Sequence, residues 1–160
     1  MTDLVEVSQP PVEVYTRNID DATTAVRFGR EYPGGGEAEF KALSSLYSVD
    51  SVHVAKPIKL NVDPEGKIVG FDMERLNGKT AREYAQAHGS IPAQSAEQVK
   101  ETVRRFHESG LAHGDLNPNN VFVSPSGDIK IIDPVGYGDI PWEEFQKYAD
   151  LDMQTLSSWL

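Results

Sequence analysis

The 160-residue chain has no cysteine, so disulfides and thiolate metal sites are excluded, and a cytoplasmic setting is expected. It has no apolar run long enough to cross a bilayer. Its start, "MTDLVEVSQPP", lacks the basic-then-apolar order of a secretory signal, so no membrane association is expected. Positive charge is also scarce: 15 Lys and Arg stand against 25 Asp and Glu, a formal net charge of −10. That balance argues against a nucleic-acid surface, which needs clustered cations. An anionic ligand would need a local cationic site or a divalent metal to enter this field. The 39% hydrophobic and 25% charged residues are ordinary for a globular protein with a real core. The length predicts one domain, or two small lobes sharing a cleft.

The first third reads as strands. Residues 4–9 and 12–18 alternate apolar and polar side chains around Pro10-Pro11, and 23–29 forms a third β-rich run. From Glu37 the period changes: Phe40, Leu43, Leu46 and Tyr47 fall on one helical stripe. Residues 55–62 and 67–76 read as two more strands around the turn "DPEG". Residues 1–76 therefore predict a five-stranded antiparallel sheet with one helix, with Asn77-Gly78 as the boundary. Beyond it, 79–89 and 95–109 read as helices, the second opening on Ser95 and Gln98 in capping-box spacing, with Val99, Val103 and Phe106 buried. A hairpin over 121–133 and an amphipathic stretch over 141–160 complete an α+β chain. No internal repeat is visible.

Three polar residues carry the chemistry. Asp115 opens a loop after a long helix, Asn120 enters a strand, and Asp133 ends the returning strand of the same hairpin. A hairpin brings its ends together, so the three side chains should converge. Oxygen donors of this kind suit a hard cation such as Mg²⁺, which takes one or two protein carboxylates plus substrate phosphates.

"HGDLNPNN" with Asp133 eighteen residues after Asp115 resembles the catalytic loop and metal-binding Asp of the protein-kinase-like superfamily, in the manner of RIO-like kinases and the aminoglycoside and choline phosphotransferases. The resemblance runs over residues 4–152 and is strongest over 106–139. It implies a two-lobed kinase-like fold: residues 1–76 form a sheet-and-helix N-lobe, and 77–160 a truncated, mainly helical C-lobe. It implies ATP and Mg²⁺ as cofactors. Asp115 would orient or deprotonate an acceptor hydroxyl, Asn120 and Asp133 would hold the metal, and His113 would brace the loop. The backbone of Glu74 and Leu76, in "FDMERLNG", would meet adenine. Glu39 is the better match to the family's helix glutamate, because Leu43 and Leu46 follow at core positions; Glu37 fits worse. "YADLDMQTLSSW" matches the helix that buries an Asp beneath the catalytic loop, with Asp150 the first choice and Asp152 the second.

Other family features are missing. No glycine precedes Gly29, so the presumed phosphate-covering turn is "SQPP", and no lysine precedes Lys41. Arg27 stands where the family has its strand lysine, with Arg30 as second candidate, and Asn117 replaces the lysine usual in Ser/Thr kinases two residues after the catalytic Asp. "PGGG" lacks the lysine and hydroxyl of a nucleotide-binding loop and reads as a connector. His53 and His88 have no identifiable partner, and Asn119 no assignable role. After Asp133 only 27 residues follow, so a protein partner could complete the substrate platform. The expected activity is transfer of the γ-phosphate to a hydroxyl of a protein Ser/Thr or a small molecule. The alternative is a pseudokinase serving as a nucleotide- or protein-binding scaffold.

Overall fold

The computed structural model describes residues 5–6, 14–28, 37–135 and 142–160. Five strands form the first sheet: β1 (Val5–Glu6), β2 (Val14–Asn18), β3 (Thr23–Phe28), β4 (Pro57–Val62) and β5 (Ile68–Glu74), in the order β1-β2-β3-β5-β4. Every pairing is antiparallel, with Arg27 opposite Gly70 and Ala25 opposite Asp72. The β4–β5 turn is held by Asp63, whose Oδ1 accepts the Glu65 and Lys67 N–H groups at 3.0 and 2.8 Å. Helix α1 (Glu37–Val49) lies against this sheet through the expected stripe, with Leu43 and Leu46 buried and Phe40 edge-on to Phe71 at 5.6 Å.

The second sheet has three strands, β6 (Lys79–Thr80), β7 (Val121–Val123) and β8 (Ile129–Ile131). It is flanked by α2 (Ala81–His88), α3 (Ala93–Glu108) and α4 (Trp142–Trp159). The fold is α+β and kinase-like, with an antiparallel sheet and one helix ahead of a mainly helical second part. A single apolar cluster joins the two parts, running from Val26, Leu43 and Phe71 to Val99, Val103, Phe106, Ile131 and Leu156. Burial of such side chains contributes roughly 1.5–3 kcal/mol each. The two parts also share backbone bonds: Ala55 N–H donates to Ile131 O at 3.1 Å and Ile131 N–H to His53 O at 2.8 Å.

Two expectations are corrected. Residues 79–80 are a strand rather than the start of a helix, because they pair with Val123 and Phe122. Gly78, at φ +102°, lies so close to this pairing that a Cβ there would meet Val123 O at 2.1 Å. The capping box is not at Ser95, since α3 starts at Ala93 after Pro92. Ser95 is buried and its hydroxyl donates to Gly127 O at 2.5 Å. The true box opens α2: Glu83 N–H donates to Thr80 Oγ1 at 3.1 Å and Thr80 N–H to Glu83 Oε1 at 3.0 Å. The connections "SQPP" and "PGGG", and Arg30, lie outside the described residues.

Candidate active site

The loop between α3 and β7 is folded around His113, which is fully buried. Its Nε2 donates to Ile132 O at 2.6 Å, and its Nδ1 accepts the Asp115 N–H at 3.0 Å. One ring thus ties the loop to the residue before Asp133. Burial drives the His113 pKa below its ordinary 6.5, against the raising pull of the Ile132 carbonyl and of Asp152 and Asp115. The neutral Nε2–H tautomer is the form both contacts require. Two backbone bonds close the same arrangement: Ile132 N–H donates to Asn120 O at 3.0 Å and Val135 N–H to His113 O at 2.9 Å.

Asp115 is exposed, and its two carboxylate oxygens face different neighbours. Asn120 Nδ2 donates to Asp115 O at 2.8 Å and to Oδ2 at 3.1 Å, whereas Asn117 Nδ2 donates to Oδ1 at 2.9 Å. Because the Asn120 amine is committed to Asp115, its oxygen is the atom left for a further ligand. Asp133 adopts φ +53°, the one non-glycine residue with positive φ among the described residues. Such left-handed backbone costs on the order of 1 kcal/mol and collects at functional sites. Burial first, and the negative charge of Asp115 second, push its carboxyl up to about 6. The negative charges of Asp115 and Asp133 oppose each other, and a bound cation would relieve that repulsion. No cluster of three His, Cys, Asp or Glu residues forms a metal cage among the described residues. A pair such as Asn120 Oδ1 and Asp133, completed by substrate phosphates, is the sparser donor set that suits Mg²⁺.

Beneath the loop lies Asp152, not the expected Asp150. Asp152 is fully buried, and accepts the His113 N–H at 2.9 Å, the Gly114 N–H at 2.7 Å and His107 Nε2 at 2.9 Å. Asp150 is exposed. Two residues along a helix amount to about 200° of rotation, so only one of the pair can face the loop. Trp159 Nε1 adds a bond to Leu116 O at 2.8 Å.

The nucleotide-side residues are placed as follows. Glu39 is buried at 8% exposure, while Glu37 pairs on the surface with Lys41 at 3.1 Å. Arg27 occupies β3 opposite Gly70, and its side chain lies outside the described residues. Glu74 ends β5 and makes a 3.0 Å charge contact with Lys130 of β8, without an aligned hydrogen bond. The Leu76 N–H has no hydrogen-bond partner among the described residues.

Residues 26–133 match the lipopolysaccharide kinase (Kdo/WaaP) family. The chain belongs to that family. This Kdo/WaaP-family chain is also similar to serine/threonine-protein kinase PknA of Mycobacterium tuberculosis, 29% identical over 101 residues, covering 61% of this chain and 23% of that protein. It is similar to serine/threonine-protein kinase PrkC of Bacillus subtilis, 25% identical over 111 residues, covering 67% of this chain and 15% of that protein. The matched stretches thus span less than a quarter of those relatives. Membership of the protein-kinase-like superfamily follows. No helix among the described residues is long and apolar enough to cross a membrane.

Several partnerships were not legible in the sequence. His53 is not unpartnered: its Nδ1 lies 3.0 Å from Asp50 Oδ2. Asp50 also accepts from Thr102 Oγ1 at 3.3 Å and from Arg105, tying the end of α1 to α3. Burial alone would raise the Asp50 carboxyl, but the hydrogen bonds of Arg105 and His53 hold it well below the usual carboxylate range. His88 lies against Tyr84, with ring centroids 4.5 Å apart and the planes tilted by 43°. Asn119 also has a partner, since its Oδ1 accepts Arg82 Nε at 2.9 Å.

Proposed function

We propose that this chain is an ATP- and Mg²⁺-dependent phosphotransferase that moves the γ-phosphate to a hydroxyl of a protein Ser/Thr or a small molecule. The observation that carries this reading is the pairing of an exposed Asp115 with Asn120 and a strained, charge-repelled Asp133 across one hairpin. Asp115 orients the acceptor hydroxyl and receives its proton, while Asn120 Oδ1 and the Asp133 carboxylate hold the cation. Bound Mg²⁺ supplies neutralisation of the phosphate oxygens. His113 keeps Asp115 and Asp133 in register, Glu39 and Arg27 serve the phosphates, and the Glu74 carbonyl and Leu76 N–H meet adenine. Residues 1–76 and 77–160 act as the walls of one cleft in a single minimal domain. Use of ATP fits a cytoplasmic setting.

The test is turnover of labelled ATP by the purified chain with Mg²⁺ and an extract as acceptor pool. Asp115→Asn and Asp133→Asn are each expected to lower transfer by about 10²–10⁴-fold. A chain that neither binds nor turns over Mg-ATP would refute the reading. Binding without transfer would favour the scaffold alternative, which draws its support from the absence of glycine before Gly29 and of lysine before Lys41.

A further inference from the structure

The asparagines of "HGDLNPNN" form a continuous polar chain. Asp115 Oδ1 accepts Asn117 Nδ2 at 2.9 Å, Asn117 Oδ1 accepts the Asn119 N–H at 2.8 Å, and Asn119 Oδ1 accepts Arg82 Nε at 2.9 Å. A second bond fixes the far end, since the Arg82 N–H donates to Pro118 O at 3.0 Å. The chain leaves Asp115 from the oxygen that Asn120 does not use. One Asp115 oxygen therefore faces Asn120, and the other is linked to Arg82 through three successive hydrogen bonds.

The charge around Arg82 is unusual for this protein. Residues 75–82, "RLNGKTAR", hold three cations and no acid, in a chain of net charge −10. Glu83, the nearest following acid, is occupied by the Thr80 capping box. Arg82 and Lys79 are exposed, and neither makes an ion pair among the described residues. Among the described residues the Arg82 side chain bonds through Nε, and its two Nη groups form a planar fork. Such a fork matches phosphate or carboxylate oxygens two at a time, which a lysine cannot do. An asparagine partner orients this fork without neutralising it; an acid at position 119 would cancel it.

We infer that Arg82, held by Asn119, is an acceptor-binding residue that recognises a phosphate or carboxylate carried by the molecule whose hydroxyl is phosphorylated. This rests on the phosphotransferase reading and adds the substrate class: an acceptor that is already anionic, admitted to an acidic protein through one local cationic edge. The Asn117–Asn119 links set the anion at a fixed offset from Asp115, so the hydroxyl placed at Asp115 is selected by its distance from that anion.

The test uses the full chain and four probes: inorganic phosphate, glucose 6-phosphate, gluconate, and glucose as the uncharged control. Titration calorimetry in the presence of Mg-ADP reads their binding to wild type, Arg82→Ala, Arg82→Lys and Asn119→Ala. Mg-ATP binding by each variant, followed by thermal shift, reads the nucleotide site alone and reports folding. At least one anionic probe is expected to bind ten-fold or more tighter than glucose. Arg82→Ala should remove that preference, Arg82→Lys should weaken it several-fold, and all variants should keep wild-type Mg-ATP binding. Equal anion binding by wild type and Arg82→Ala would overturn the inference, as would an ATP-competent chain that prefers no anion over glucose. Loss of Mg-ATP binding by wild type itself would instead sink the phosphotransferase reading, a separate outcome.

Discussion

His113 Nδ1 accepts the Asp115 N–H at 3.0 Å, with the other ring nitrogen spent on Ile132 O. A proton added at Nδ1 would set donor against donor inside the core. The folded pKa is lowered by burial, so the unfolded chain takes up the proton first. The stability this ring contributes is therefore complete above the unfolded value of 6.5 and is lost as pH falls toward the lower folded value. Melting temperature is expected to drop between pH 7 and pH 5, and His113→Gln should flatten that slope. At pH 7.5 the variant should be less stable by about 2–4 kcal/mol, the cost of unpaired buried groups.

Asp133 has the opposite sign. Its folded pKa is raised to about 6, so the folded state holds the proton more readily than the unfolded chain. The contribution is fully present below about 4 and declines as pH rises through 6. Without Mg²⁺, Asp133→Asn should be more stable than wild type at pH 7.5 by on the order of 1 kcal/mol. The gap should close as pH falls to 4, and added Mg²⁺ should stabilise wild type but not the variant. Calorimetry across pH, with and without Mg²⁺, measures both. A less stable variant at pH 7.5 would contradict the repulsion described for the Asp115–Asp133 pair.

Asp152 and Asp150 give a paired comparison on one helix. Asp152→Ala leaves two backbone N–H groups and His107 without their shared acceptor, and should cost about 3–5 kcal/mol. Asp150→Ala should fall within about 0.5 kcal/mol of wild type. Chemical denaturation of the two variants decides between them, and equal losses would argue against the loop anchor.

The Asp50–Arg105 pair links α1 to α3. Removing one partner leaves a nearly buried carboxylate uncompensated, so Arg105→Ala should cost about 1–3 kcal/mol, less than a fully buried pair because Arg105 is 35% exposed. The double variant Asp50→Asn, Arg105→Ala should be less destabilised than the sum of the single variants. Additive losses in a double-mutant cycle would mean the two side chains act independently.

Much of the fold was legible because its signals are local. The five strands and α1 carry periods of two and 3.6, and the hairpin after Asn120 brings Asp133 back by chain connectivity alone. The errors share a cause as well. Ser95 and Thr80 both satisfy the spacing of a capping box, and the pattern cannot tell which hydroxyl has a better acceptor elsewhere. For Ser95 that acceptor is the Gly127 carbonyl, 32 residues away. Asp150 and Asp152 both fit the helix motif, and the choice depends on the rotation at which Phe145, Ala149 and Leu156 seat α4 against the core.

The α+β order of elements, the spacing of His113, Asp115, Asn120 and Asp133, and a charge balance that leaves an anion few places to bind are all written in the linear chain. Those properties follow from neighbours along the chain. Folding in three dimensions sets which oxygen of Asp115 faces which partner, that Asp152 carries the loop, and that Asn119 holds Arg82. The Asp152 and Asn119 contacts join residues 37 to 45 apart in the chain, where orientation is set by packing and by the burial of polar groups that must find a partner.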